Sequence, residues 1–525
     1  MKWFLCFLVK KLKIPRSIKI GNGHLIFLLF LGNSSSRFFL QKELSREKLL
    51  YKTFFMKTSY LLLLTSMIAY ALIGYTIPRT SFEPFAILYL LLFGLYFYWC
   101  YRAETFFKKV NWKLFLGAAI LLRAVFLVAI PELSDDFWRY LWDGRLLSLG
   151  VNPYEHIPSD LLDTALYQQA HLEQLYEHLN SPKFHSVYPP VAQLFFASTT
   201  FFFMDNVLAS VVVFHLLVLC LELGTILLLI KLLEHLKQPI YFAFFYAFNP
   251  LIILELSGNL HTESFFIFFL TLALYTFVKQ QHTTSALAFS MAVGAKLLPL
   301  MFMPLILHRL WFKKGMGYCI LVGLVNIGLF ALFFDLELIQ EIRASLALYF
   351  GHFEFNASIY YLTRYWLINE YWRIWDYHEY FMDCRIIERF FKLDLYALLH
   401  KILPIIDLIL ILYFSLKKNI RHSEKAFLAS FLAIYSVHSF LATTLHPWYI
   451  AILVLFAVLS PYRLYVLLWT ALIGFTYISY QSSPVVENAW VIGLEYWLVF
   501  GVLTWEVYQQ KKKKKTRQLK ASTKD

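Results

Sequence analysis

Two adjacent carboxylates, Asp135 and Asp136, stand between long apolar runs in the stretch Ser134-Asp135-Asp136-Phe137-Trp138-Arg139-Tyr140-Leu141-Trp142-Asp143-Gly144-Arg145. Charge at the edge of a membrane is costly, so its presence points to function. An ionised carboxylate there can take the proton of an attacking hydroxyl. Read as a helix, the stretch puts Ser134 at the N-cap, both acids in the first turn and Gly150 just past the end. The helix N-terminus and Arg139 would then hold a carboxylate in its charged form. The same residues also suit a plain cap whose acids complement the helix dipole, with Phe137, Trp138, Leu141 and Trp142 as an interfacial anchor.

Three further groups carry chemical potential. Lys296, in Gly294-Ala295-Lys296-Leu297-Leu298-Pro299, is a cation inside an apolar run, with a phosphate as its natural partner and snorkelling to the interface as the structural alternative. His261 and Glu263, in Gly258-Asn259-Leu260-His261-Thr262-Glu263, are too few to make a convincing metal site, and helix-end hydrogen bonding fits them better. His446, before Pro447-Trp448-Tyr449, could donate to a phosphate or a sugar hydroxyl, or be an interfacial histidine with a local partner. There is no glycine-rich phosphate loop, no Walker sequence and no Gly-x-Ser-x-Gly elbow, so nucleotide-driven transport and hydrolase chemistry lack support. No cofactor is expected, and a divalent metal has no motif behind it.

The elements that must position these groups are membrane helices. Of the 525 residues 59% are hydrophobic and 19% aromatic, and the apolar runs are continuous and repeatedly about twenty residues long, which spans a bilayer as helix rather than as barrel strand. The net charge of +14 reflects Lys and Arg in short inter-helix segments and in the Lys511–Lys515 run. Such residues set topology and are no nucleic-acid footprint. Five scattered cysteines form neither a disulfide framework nor a metal motif.

The fold expected is an all-α polytopic bundle of about 12 to 14 transmembrane helices, with amphipathic helices in the first external loop. Residues 1–55 read as a poorly ordered or interfacial extension, 56–508 as the transmembrane domain and 509–525 as a basic cytoplasmic tail. Alternation of basic loops puts the 131–187 loop, with both acids, on the extracytoplasmic face. His261, His446 and the aromatic-rich 335–395 loop fall on the same face. That second loop carries Tyr349, Phe350, Phe353, Tyr360, Tyr361, Tyr365, Trp366, Tyr371, Trp372, Trp375 and Tyr377, with Arg364 and Arg373, an interfacial belt whose rings could also stack on sugars. Two places resist the alternation: 191–203 reads as an incomplete crossing, and 286–307, with both ends basic, as a re-entrant or broken pair.

A membrane protein with an external acid pair and embedded basic groups suits transfer of a group from a lipid phosphate to a hydroxyl. The chain also resembles bacterial polyprenol-phosphate-mannose-dependent mannosyltransferases of the GT-C superfamily. The resemblance rests on the Ser134–Arg145 stretch, Gly150-Val151-Asn152-Pro153-Tyr154, Tyr188-Pro189-Pro190, Asn249-Pro250, Gly258-Asn259 with His261, Lys296–Pro299 and His446–Tyr449. It implies a multi-pass membrane enzyme facing outward that moves a hexose, foremost mannose, from a polyprenyl-phosphate donor to a glycan or lipid acceptor hydroxyl by inverting displacement. Its base would be Asp135 or Asp136. Arg139, Asp143, Arg145, Tyr188, Asn259, His261, Lys296 and His446 would bind substrate or donor phosphate. The alternative is a flippase or transporter of lipid-linked sugar or anionic solute, which needs midplane charges in several helices, and Lys296 alone stands out as one.

Overall fold

The computed structural model describes residues 57–109, 112–333, 354–364, 395–482 and 485–522. The expected 1–55 extension and most of the aromatic 335–395 loop lie outside the described residues. The chain divides into two compact units, Met1–Thr65 and Ser66–Asp525, and the site belongs to the second.

The protein is all-α. Among the described residues the β geometry is confined to one isolated bridge, Phe355 to Thr444. In chain order the main helices are α1 (Lys57–Thr76), α2 (Phe82–Lys109), α3 (Trp112–Ala124), α4 (Asp136–Ser148), α5 (Pro190–Thr200) and α6 (Val207–His235). There follow α7 (Ile240–Ala247), α8 (Pro250–Gly258), α9 (Glu263–Val278), α10 (His282–Ala295), α11 (Leu298–Leu310) and α12 (Phe312–Ala331). The C-terminal set is α13 (Leu395–Ser415), α14 (Glu424–Leu441), α15 (Pro447–Leu459), α16 (Leu464–Gln481) and α17 (Ala489–Ser522).

Among the described residues six of these, α1, α2, α6, α12, α16 and α17, are long and apolar enough to cross a membrane, and seven if the α7–α8 pair, bent by 51°, counts as one span. The apolar helices α9, α11 and α15 are shorter. The bend falls where Asn249 caps Pro250, whose missing N–H is harmless in a first turn.

Both irregular regions find a physical explanation. With 11 residues α5 is about 16 Å long, half the hydrocarbon thickness, so it does not cross. It lies beside α4, and Gly144 permits that approach: a Cβ there would sit 2.5 Å from the Phe196 carbonyl oxygen. The second region is a broken pair longer than the sequence suggested. It begins at His282, turns at Lys296-Leu297 and returns as α11.

One helix fixes the two ends of the bundle. α12 opens beside Lys313 and Lys314 and ends near Phe333, whose carbonyl accepts a hydrogen bond from Asn152 of the first loop at 3.1 Å. The acid pair and this basic cluster therefore lie at opposite ends.

The expectation that Lys296 is the lone charge of note within the apolar runs does not hold. Arg123 of α3 and Glu222 of α6 form a fully buried ion pair at 3.0 Å. Tyr246 donates to Glu222 at 2.7 Å, and Arg123 donates to the Ala247 carbonyl at 2.8 Å. Every charge in this knot has a partner, as a group removed from water requires.

Candidate functional site

Asp135 and Asp136 sit where the loop after α3 turns into α4. The helix begins at Asp136 with Asp135 as its N-cap residue, one position later than the sequence suggests. The Ser134 hydroxyl reaches the Asp136 amide only at 3.4 Å and lies 3.1 Å from His261 Nε2, so it serves the histidine as much as the helix.

The acids have different partners. Asp135 takes the guanidinium of Arg79, from the turn between α1 and α2, at 2.5 Å. Arg79 also lies 4.7 Å from the centre of the Tyr480 ring. Asp136 accepts from Asn180 Nδ2 at 2.8 Å through Oδ1 and turns Oδ2 toward His261 Nε2 at 3.9 Å, with 23% of its side chain exposed. Burial pushes the Asp136 carboxyl above its ordinary range, while His261 and Asn180 pull it back.

His261 is held from behind. Its Nδ1 is 3.0 Å from the Glu255 carbonyl and 3.2 Å from the Glu255 carboxylate, which keeps a proton on Nδ1 in either charge state and turns Nε2 to Ser134 and Asp136. Burial opposes its protonation, but the Glu255 hydrogen bond and the charges of Glu255, Asp136 and Glu263 outweigh it and raise the imidazole above its usual value. Glu255 is itself fixed by Tyr477 Oη at 3.0 Å and Asn259 Nδ2 at 3.0 Å.

This placement depends on local backbone. Residues Ile253–Gly258 form a π-turn, and Leu260 follows with φ of +59°. Such turns carry an extra residue and cluster at functional sites, and a branched side chain in the left-handed region stores strain that the surroundings must hold.

Lys296, at the C-cap of α10, pairs with Glu263 at the start of α9 and sits 4.3 Å from the Tyr449 ring centre. His446 belongs to a run of stacked rings: Phe355 to His446 at 4.7 Å, His446 to Trp448 at 4.5 Å and Trp448 to His261 at 3.9 Å. Burial, with His261 and Lys296 nearby, pushes His446 down to about 3, so it stays neutral. Its buried Nδ1 makes no hydrogen bond among the described residues.

The structure thus gathers Asp135, Asp136, Asn259, His261, Lys296 and His446 at one end of the bundle. Three residues expected to contact substrate do other work. Arg139 does not hold the acid pair: its Nε donates to Asp143 at 2.8 Å, and Nη1 donates to the Phe184 carbonyl at 2.9 Å. Asp143, fully buried, also accepts from Ser186 at 2.5 Å and Gln193 at 3.0 Å. Arg145 donates to the His171 carbonyl and, at 3.0 Å, to Gln174. These contacts fasten the external loop onto α4 and α5. Tyr188 packs edge-on against Tyr140 at 5.0 Å, and its carbonyl accepts from Tyr154. Glu263 pairs with Lys296 and not with His261. No group of three His, Cys, Asp or Glu among the described residues could hold a metal ion.

Sequence reasoning missed Arg79, Asn180, Glu255 and Tyr477. Glu255 had a signal, an acid inside the apolar run Leu251–Leu256. The others are ordinary residues made important by distant partners.

Residues 66–312 match the family model described as alpha-(1->6)-mannopyranosyltransferase, N-terminal domain. No curated protein matches the chain. The matched segment is similar to that mannosyltransferase family and contains Arg79, both acids, Glu255, His261, Glu263 and Lys296. His446, Trp448 and Tyr477 complete the site from beyond it.

Proposed function

We propose that this membrane protein, whose residues 66–312 form a mannosyltransferase-family domain, transfers a hexose, foremost mannose, from a polyprenyl-phosphate donor to an acceptor hydroxyl on the extracytoplasmic face. The bundle is of GT-C type, and Asp136 is the base. The observation that carries this reading is the division of labour within the acid pair. Asp135 is engaged by Arg79, while Asp136 Oδ2 lies beside His261 and keeps partial exposure on a carboxyl made more basic by burial.

The acceptor hydroxyl gives its proton to Asp136 as its oxygen attacks the anomeric carbon and the donor phosphate departs. One displacement inverts the anomeric centre, so an alpha bond of the family's kind requires a beta-linked donor. His261, charged between Glu255 and Asp136, balances the carboxylates. Lys296 keeps two ammonium hydrogens beyond the one given to Glu263 and can meet the leaving phosphate, with His446 as a neutral donor beside it. The stacked rings from Phe355 to His261 offer faces for a sugar.

The test is acceptor-dependent loss of label from radiolabelled mannosyl and glucosyl phosphoryl-polyprenols. Asp136→Asn should insert normally and lose about 100- to 10,000-fold in transfer. Asp135→Asn should lose less. Full activity in both variants would remove the base, and the reverse order would move it to Asp135. Reporter fusions that put residue 135 in the cytosol would overturn the facing.

A further inference from the structure

At the opposite end of the bundle, α11, α12 and the C-terminal part of α13 enclose a cavity of about 540 Å³, the size of a small-molecule site, open on one side. Its wall is apolar: Met303, Pro304, Leu307, Phe312, Leu412 and Leu416. Its mouth is polar. Arg421 lies with its guanidinium carbon 3.9 Å from the Trp311 ring centre, and Arg421 Nη2 is 3.3 Å from His308 Nδ1. Arg421 Nε is buried and makes no hydrogen bond among the described residues. A buried guanidinium nitrogen without an acceptor calls for one.

The two segments that line the cavity carry charge of a single sign. Residues 303–319 and 412–421 contain Arg309, Lys313, Lys314, Lys417, Lys418 and Arg421 and no acid. Arg309 is used internally, donating to the carbonyls of Ile420 and Arg421 at 2.6 and 2.7 Å. Lys417 rests its ammonium 4.1 Å from the Phe414 ring centre, at the boundary between apolar surface and water. An apolar slot beneath an arginine with an open donor, built on segments that carry cations and no acid, complements a molecule with a hydrocarbon tail and an anionic head.

We propose that this cavity holds one anionic phospholipid, an acyl chain lying along Leu412, Leu416 and Met303 and its phosphate on Arg421, with the lysines around it. The site is separate from the transfer chemistry and does not depend on that reading.

Native mass spectrometry of the detergent-solubilised full chain tests it, with phosphatidylglycerol, phosphatidylcholine of the same chains, glycerol phosphate and inorganic phosphate as probes. Wild type should retain phosphatidylglycerol at least about tenfold better than phosphatidylcholine, the free-energy scale of one charge-assisted contact. Arg421→Gln should bring that ratio near one, and Leu412→Trp, which fills the slot from an exposed position, should reduce retention of both lipids. Lys512→Gln, outside the cavity lining, should leave the ratio unchanged. Equal retention of the two lipids by wild type would overturn the proposal, as would unchanged retention in Leu412→Trp, which decides the matter if Arg421→Gln fails to fold. Competition by glycerol phosphate or inorganic phosphate as strong as by the lipid would overturn the tail's part. A dimer that dissolves in Leu412→Trp without any lipid preference would assign the slot to a second copy.

Discussion

The two halves of α4 carry the same kinds of residue and do opposite things. At its start, Asp135 and Asp136 remain partly exposed and take partners from three separate places: Arg79 of the α1–α2 turn, Asn180 of the external loop and His261 before α9. One to two turns later, Arg139, Asp143 and Arg145 are buried and bonded to α4 itself and to the loop and helix that follow it. Charge density alone therefore does not mark chemistry. In the proposed mechanism the distinguishing feature is a charged oxygen that keeps a face toward solvent while its other contacts are fixed.

The contrast can be broken in two ways. Asp143→Asn leaves Arg139 as a buried charge without its counter-ion, so the expected result is a loss of about 3–5 kcal/mol in stability, seen in thermal unfolding of the solubilised protein. Any activity should fall with the folded fraction, and the pH profile of surviving enzyme should keep its shape. Arg79→Gln should do the reverse: little change in unfolding temperature, since the pair is part-exposed, and a fall of about tenfold in transfer at neutral pH. Without Arg79, Asp135 is an uncompensated neighbour that makes Asp136 hold its proton more tightly. The acid limb of the profile should move to higher pH in this variant alone.

In the wild type the effect is smaller but has a definite sign. A base works when ionised, so transfer is lost as pH falls through the Asp136 value, and burial puts that limb above the ordinary carboxylate value of about 4. His261, raised by its carboxylate neighbours, should lose its charge only above the usual histidine range, which sets the alkaline limb. A kcat/KM profile whose acid limb sits at the ordinary value would remove the burial of Asp136 from the account.

Much of this was legible before any coordinates. Continuous apolar runs demand helices, the two stretches that resisted regular crossing are short or broken, and Gly150 with φ of +76° ends α4 where expected, whereas the 51° bend between α7 and α8 was not foreseen. Less legible was which charges meet. Arg139 stands three and four residues after the acids but also four before Asp143, and helix geometry allows either pairing. Only the packing of the external loop selects the second. Arg79 and Asn180 lie 56 and 44 residues from their partners, and no local spacing announces them.

The π-turn at Ile253–Gly258 gives the site a particular fragility. An α-helix advances about 100° per residue, so removing the additional residue would leave a sound, regular helix while swinging everything after it by more than a quarter turn. The imidazole would then aim away from the acids in a chain that still folds. The proposed alignment of His261 with the acids thus hangs on a count of residues as much as on their identity, and a one-residue deletion there should silence transfer without denaturing the protein.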